Sequence, residues 1–215
     1  MKEIIEKIAS AVENGKAKDV KVLVPQAIDE GCTAQEILDE GLLPGMAVIG
    51  DRFAKNEAFV PEVLVSARAM NKGVELIKPL LIAEGSVSLG KACIGTVEGD
   101  LHDIGKNIVK LMLESRNIEV VDLGTDVSAE KFVDAVKNEG CELVCCSALL
   151  TTTMPMMEDV VKSLREAGLR DKVKVLVGGA PVNAEFCAMI GADVYTEDGA
   201  TAAKEAERLL KELHA

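Results

Sequence analysis

Apolar positions recur with a helical period through residues 1–84, and beyond them short apolar runs alternate with helical ones. Ile4, Ile5, Ile8, Ala11 and Val12 share one face of a first helix that Asn14-Gly15 can end. A second helix is expected over about Lys18 to Glu30, stopping at Gly31, with a kink or late start at Pro25. Thr33 and Glu36 have capping-box spacing and open a third helix; Gly41 to Gly45 is expected to interrupt it before Met46 to Ala54 resumes. Pro61 suits the start of a long fourth helix carrying Val63, Leu64, Ala67, Met70, Val74 and Ile77. Residues 1–84 therefore read as a helical domain built as a four-helix bundle.

Residues 85–90, rich in Gly and Ser, read as a linker to a second domain over 91–215. There, β-rich runs at Ala92–Val97, Glu119–Leu123, Leu143–Ala148, Val173–Val177 and Val194–Tyr195 are each followed by a helical pattern. Strict alternation predicts an α/β domain, a five-stranded parallel sheet with helices on both faces, and the nearly continuous apolar strands suit a sheet buried on both sides. In the flavodoxin-like (Rossmann-type) order, a ligand crevice opens between the carboxyl ends of the first and third strands, where the strand order reverses. The loop after the first strand carries Asp100 and His102; the loop after the third begins at Ser147.

Charge narrows the partners. Lys and Arg total 24 against 36 Asp and Glu, a net charge of −12, so the field repels phosphate backbones and nucleic acid is not expected. No apolar run is long enough to span a bilayer, and the acidic amphipathic N-terminus does not look like a signal peptide, so no membrane partner and a cytoplasmic location are expected. The six cysteines form no C-x-x-C pair and fall largely in apolar runs, which suits reduced structural thiols.

The stretch Gly95 to Asn107 holds the chemistry, because the other histidine of the two, His214, is the penultimate residue. Gly99 and Gly105 are one residue too far apart for a phosphate loop, and Asn107 stands where a Ser or Thr would bind magnesium. The loop also lacks the G-x-G-x-x-G of a dinucleotide site. Zinc wants three or four protein ligands, and no second histidine or cysteine lies close. A single axial imidazole suffices when a macrocycle fills the metal's other positions; by spacing alone, a solvated or locally hydrogen-bonded loop histidine is the simpler reading. Asp100, two residues away, is placed to accept the other ring N–H, the usual partner of a metal-bound histidine.

Asp100-Leu-His102-Asp-Ile-Gly105, then Ser147-Ala-Leu149, then Gly178-Gly179 resemble the Asp-x-His-x-x-Gly, Ser-x-Leu and Gly-Gly signature of cobalamin-binding domains. Gly50-Asp-Arg-Phe53, Phe59-Val-Pro61 and Ser66-Ala-Arg-Ala-Met70 are similar to the helical cap of the methionine synthase cobalamin module and of the small corrinoid proteins of methyltransferase systems. The resemblance covers essentially the whole chain.

It implies that His102 is the lower axial ligand to cobalt, that Asp100 hydrogen-bonds the imidazole, and that Thr153, where methionine synthase has a serine, completes a proton relay. It places Gly99, Leu101, Asp103, Ile104 and Gly105 against the cofactor with them. Ser147, Leu149 and Thr151 would line a slot for the displaced nucleotide tail, with Gly178 and Gly179 beside it and Tyr195 to Gly199 closing its far end. Phe53 and Val60 match positions that shield the upper corrin face, although helix-bundle core is the ordinary reading of both.

The function the resemblance implies is a corrinoid methyl carrier. A substrate:corrinoid methyltransferase delivers a methyl group to cobalt(I), and a methylcorrinoid:tetrahydrofolate or coenzyme M methyltransferase removes it. A reductive activation protein is a third implied partner, and the linker is expected to be a hinge. Such a carrier is a subunit of a methyltransferase system rather than a complete enzyme. The rivals are the small subunit of an adenosylcobalamin mutase, which generally lacks the helical cap, and a cobalamin-dependent sensor, which expects a DNA-binding segment. The methyl donor is left open among methanol, methylated amines, quaternary amines and aryl methyl ethers.

Overall fold

The computed structural model describes residues 2–84 and 88–214, and the chain divides into two compact units, 1–87 and 88–215. Residues 85–87 of the expected linker and hinge lie outside the described residues.

The first unit contains α1 (Lys2–Glu13), α2 (Ala17–Asp29), a helical run made of α3 (Ala34–Glu36), a π-helical turn (Ile37–Leu42) and α4 (Leu43–Ala54), and then α5 (Val60–Glu84). Ile4, Ile5, Ile8, Ala11 and Val12 are the buried face of α1, as their spacing predicts. Pro25 does not break α2, which passes through it. The Thr33 capping box forms: the Glu36 amide donates to Thr33 Oγ1 at 3.1 Å, and the Thr33 amide donates to Glu36 Oε2 at 2.8 Å.

The expected interruption at Gly41 to Gly45 does not occur; the chain stays helical and widens into a π turn. Pro44 cannot donate to the carbonyl four residues back, and the wider turn ahead of it accommodates the ring. Gly45 serves an approach between helices, since a Cβ there would stand 2.4 Å from the carbonyl oxygen of Ala9 in α1. Its conformational cost in a helix is offset by the close contact it permits.

The second unit alternates β1 (Gly90–Val97), α6 (Ile104–Glu114), β2 (Ile118–Val127), α7 (Ala129–Glu139), β3 (Leu143–Ser147), α8 (Met154–Glu166), β4 (Lys174–Gly178), α9 (Ala184–Ile190), β5 (Val194–Thr196) and α10 (Gly199–Leu213). All pairings are parallel, in the order β2-β1-β3-β4-β5. This is the flavodoxin-like order, and its reversal lies between β1 and β3. α7 packs beside α8, and α6 beside α10. Phe132, fully buried, centres a core with Cys93, Val144, Cys146, Met157 and Val161.

β2 runs four residues past the expected end at Leu123. Gly124 and Asp126 have φ of +89° and +53°, and the segment beyond Leu123 is carried in the sheet as an irregular strand. All six cysteines are free and buried; burial pushes the Cys145 thiol up to about 12. That fits a structural thiol at Cys145, because the thiolate is the reactive form. Among the described residues no helix is long and apolar enough to cross a membrane.

Candidate functional site

Thr96 and Ser147 are register partners where β1 and β3 end side by side, so the loops that follow them meet at the switch point. After β1 the chain turns through Gly99, at φ +79°, and the Asp100 amide donates to the Val97 carbonyl at 3.1 Å. This tight turn sends the Asp100 side chain inward and leaves His102 on the rim: Asp100 is 0% exposed, the His102 side chain 51%. Thr96, fully buried, donates from Oγ1 to the His102 carbonyl at 2.7 Å and anchors the histidine's main chain to β1.

The Asp100 carboxylate accepts from five donors. Oδ1 takes the His102 ring at Nδ1 (2.7 Å) and the His102 amide (3.1 Å). Oδ2 takes the Leu149 amide (2.7 Å), the Leu150 amide (3.3 Å) and the Thr153 hydroxyl (2.8 Å). Burial alone would push this carboxyl up; the hydrogen bonds from Leu149, His102 and Thr153 outweigh it and hold the group well below the usual carboxylate range. Asp100 is thus an ionised acceptor with no proton to give, so the proton between it and His102 resides on Nδ1. Nε2 then carries the free lone pair on the exposed edge of a ring whose orientation is set from behind.

The surroundings are apolar and open. Leu101, Leu149 and Leu150, on the two loops that meet at Asp100, and Ile104, the first residue of α6, are all exposed. A Cβ at Gly105, in the first turn of α6, would meet no atom within 4 Å. Asp103 immediately precedes α6. Below this turn Lys106 is buried and donates to Asp122 Oδ1 at 2.6 Å and Asn107 Oδ1 at 2.7 Å, tying α6 to β2.

Further along the sheet edge, Ser147 pairs with Gly178, and Gly178 with Thr196 of β5. Gly179, at φ +128°, could not be another residue, because a Cβ there would lie 1.8 Å from the Ala148 carbonyl oxygen. Tyr195 is half-buried in register with Val177, and Gly199 opens α10 behind Asp198, whose Oδ1 accepts from the Ala200 and Thr201 amides. Thr151 is exposed in the loop after β3. Asp100, His102, Leu149 and Thr153 are therefore joined by hydrogen bonds, while Ser147, Gly178, Gly179 and Tyr195 follow one another across adjacent strand ends. Phe53, in α4, and Val60, at the start of α5, are half-buried in the helical unit.

Sequence reasoning missed Thr96, Leu150 and Asp126. Thr96 and Leu150 act through groups that no motif marks, one a buried hydroxyl and the other a main-chain amide. Asp126 lies beyond the expected end of the second strand at Leu123, where the sequence pattern marks no role for it.

Among the described residues no group of three or more His, Cys, Asp or Glu could hold a metal ion. A metal bound through Nε2 of His102 must bring its other ligands with it, as a macrocyclic cofactor does. The exposed leucines and isoleucine, the open space at Gly105 and the side-chain-free Gly178-Gly179 edge suit a broad, largely apolar ring with an appended tail.

Two matches to the family described as B12 binding domain cover residues 90–207 and 4–78. Dimethylamine corrinoid protein 1 of Methanosarcina acetivorans is 42% identical over 97% of this chain and 98% of its own length. The trimethylamine corrinoid protein of Methanosarcina barkeri is 42% identical over 91% of each. Among solved structures, a chain of the methanol:cobalamin methyltransferase complex MtaBC from Methanosarcina barkeri is 36% identical with a TM-score of 0.86, over 97% of this chain and 80% of that one.

Proposed function

The chain belongs to the B12-binding corrinoid proteins, and we propose that it is the methyl carrier of a methyltransferase system acting on a small methylated substrate, a methylated amine or methanol. The relatives' names support this substrate class. When bound, the corrinoid supplies a cobalt centre that takes a methyl group from one partner and yields it to another. The protein sets how that centre is ligated, shielded and reached.

His102 would hold the cobalt of the corrinoid through Nε2. The observation that carries this reading is the 2.7 Å contact between His102 Nδ1 and Asp100 Oδ1, which leaves Nε2 as the free donor atom on the exposed side. Asp100 holds the tautomer and the ring plane. Thr153, 2.8 Å from the other carboxylate oxygen, keeps that carboxylate oriented and extends the hydrogen-bonded chain away from the ring. Gly99, Leu101, Asp103, Ile104 and Gly105 would form the wall for the corrin ring, and Ser147, Leu149, Thr151, Gly178, Gly179, Tyr195 and Gly199 would hold the nucleotide tail. The partners are a substrate-specific methyltransferase, a second methyltransferase using tetrahydrofolate or a thiol such as coenzyme M, and a reductive activation protein.

The test is reconstitution of wild type and His102→Ala with methylcobalamin, followed by methyl transfer with dimethylamine, trimethylamine and methanol methyltransferases as donors. The wild type should show an imidazole-ligated spectrum that the variant lacks while it still binds cofactor. An unchanged spectrum overturns the axial assignment; inertness toward all three donors overturns the substrate class.

A further inference from the structure

We infer that Asp126, at the end of β2, is a positioning residue for His102, acting through the turn that holds Asp100. The inference rests on the reading of His102 as the axial ligand and extends it to a second strand.

β2 departs from regular pairing in order to reach the turn. Ile94 pairs with Asp122, Gly95 with Gly124 and Val97 with Val127, so β2 spends extra residues in two irregularities over the stretch where β1 runs into the His102 loop. Such bulges re-aim side chains beside functional sites. The second one puts Asp126 at φ +53°, a conformation that non-glycine residues rarely adopt and that Asp tolerates better than most. From there Asp126 makes two contacts with the turn. Its Oδ1 accepts the Gly99 amide at 2.7 Å, and its own amide donates to the Asp100 carbonyl at 3.0 Å.

The two contacts supply what the carboxylate cannot. Oδ2 of Asp100 is pinned by the loop after β3, which fixes one end of the side chain. Where Oδ1 points also depends on the main chain at residues 99–100, and β2 holds that main chain through Asp126. With both ends fixed, Oδ1 meets His102 Nδ1; with one released, the carboxylate can pivot about Oδ2 and the Nδ1 contact lengthens. Outer partners of a metal-bound histidine characteristically change metal affinity or activity by about 10–100-fold, and a partner one step further out belongs near the lower end.

The test uses Asp126→Gly, which keeps the backbone conformation and removes the acceptor, and Asp126→Asn, which keeps an acceptor oxygen. In the full chain without cofactor, ring ¹⁵N chemical shifts of neutral His102 report which nitrogen carries the proton. Wild type and Asp126→Asn should hold it on Nδ1; Asp126→Gly should lose that preference toward Nε2, and its Gly99 amide should exchange about tenfold faster. With cobalamin bound, the ratio of His-on to His-off forms should fall about tenfold in Asp126→Gly alone, with thermal melts confirming that each variant is folded. A wild-type tautomer in Asp126→Gly overturns the inference, and so does loss of the tautomer in Asp126→Asn. If Asp126→Gly does not fold, Asp126→Ala, which also removes the acceptor, takes its place on the same readouts, and a wild-type tautomer in it overturns the inference. Should wild type itself show no imidazole ligation, the axial reading fails, while the tautomer measurement still decides the role of Asp126.

Discussion

His102 Nδ1 stands 2.7 Å from Asp100 Oδ1, and the two side chains differ sharply in environment: the carboxylate is sealed from solvent and the imidazole is half exposed. A buried charge is tolerated when it is hydrogen-bonded, and here two main-chain amides and a hydroxyl from the far side of the switch point complete the set. The pair thereby joins the loops after β1 and β3. What fixes the imidazole is also what ties the mouth of the crevice together.

Asp100→Asn tests that double duty. The amide cannot accept from every donor that now converges on the carboxylate, so at least one buried group is left unsatisfied, at about 1–3 kcal/mol. The variant should unfold at lower urea concentration by about that free energy. It should also lose the imidazole-ligated form about 10–100-fold relative to wild type when cobalamin is bound. Wild-type stability with wild-type ligation would remove Asp100 from both roles.

The same carboxylate sets a pH signature. Its folded-state pKa lies below its unfolded value, near 4. At pH above that value both states are ionised and the hydrogen-bond contribution is fully present. As pH falls further the unfolded chain binds the proton first, so stability declines until the folded pKa is also passed. Urea unfolding from pH 7 down to about 3 should therefore show the wild type losing stability below about pH 4 more steeply than Asp100→Asn, by up to one proton's worth of slope. Parallel curves would show that the carboxylate is not preferentially ionised in the fold.

Thr153 lies 53 positions along the chain from Asp100 and contributes through its hydroxyl, 2.8 Å from Oδ2. Thr153→Val keeps the shape and removes the donor, and a hydrogen bond to a charged group is worth about 1.5–3 kcal/mol. Thr153→Ser keeps the donor. Urea melts should separate the two, Val destabilised and Ser within about 1 kcal/mol of wild type, since only a methyl is lost. Equal losses in both would assign the position to packing.

The sheet was legible because its signal is local. Apolar runs of strand length between helical patterns force a parallel, doubly wound order, and Ile4, Ile5 and Ile8 declare the α1 face in the same way. The π turn was not legible, because glycine read along the chain is a breaker, while Gly45 answers to Ala9 of another helix. The end of β2 was missed for a related reason: Gly124-Thr-Asp126 has turn composition and positive φ, and only pairing with β1 makes it a strand. At the site, spacing alone left His102 a loop histidine. The resemblance supplied the role proposed for it, and the contacts from Leu149, Leu150 and Thr153 to Asp100 supply a physical basis for that proposal, which depends on β1 and β3 being neighbours.

Two glycines of the site separate fold from function. Gly179 is required by the fold, since any Cβ would collide with the Ala148 carbonyl and φ is +128°. Gly179→Ala should cost about 3 kcal/mol or more, visible as a large fall in the urea midpoint without cofactor. Gly105 meets nothing within 4 Å and has no unusual φ, so the fold does not require it. Gly105→Ala should leave the apo protein as stable as wild type, or more stable by up to about 1 kcal/mol, because alanine is the better helix former. If the ring rests on the first turn of α6, as proposed, the variant's cobalamin affinity should nonetheless fall, because the added methyl would occupy that space. Equilibrium binding of hydroxocobalamin alongside the urea melts gives both quantities, and wild-type affinity in Gly105→Ala would mean that the ring does not rest on the first turn of α6.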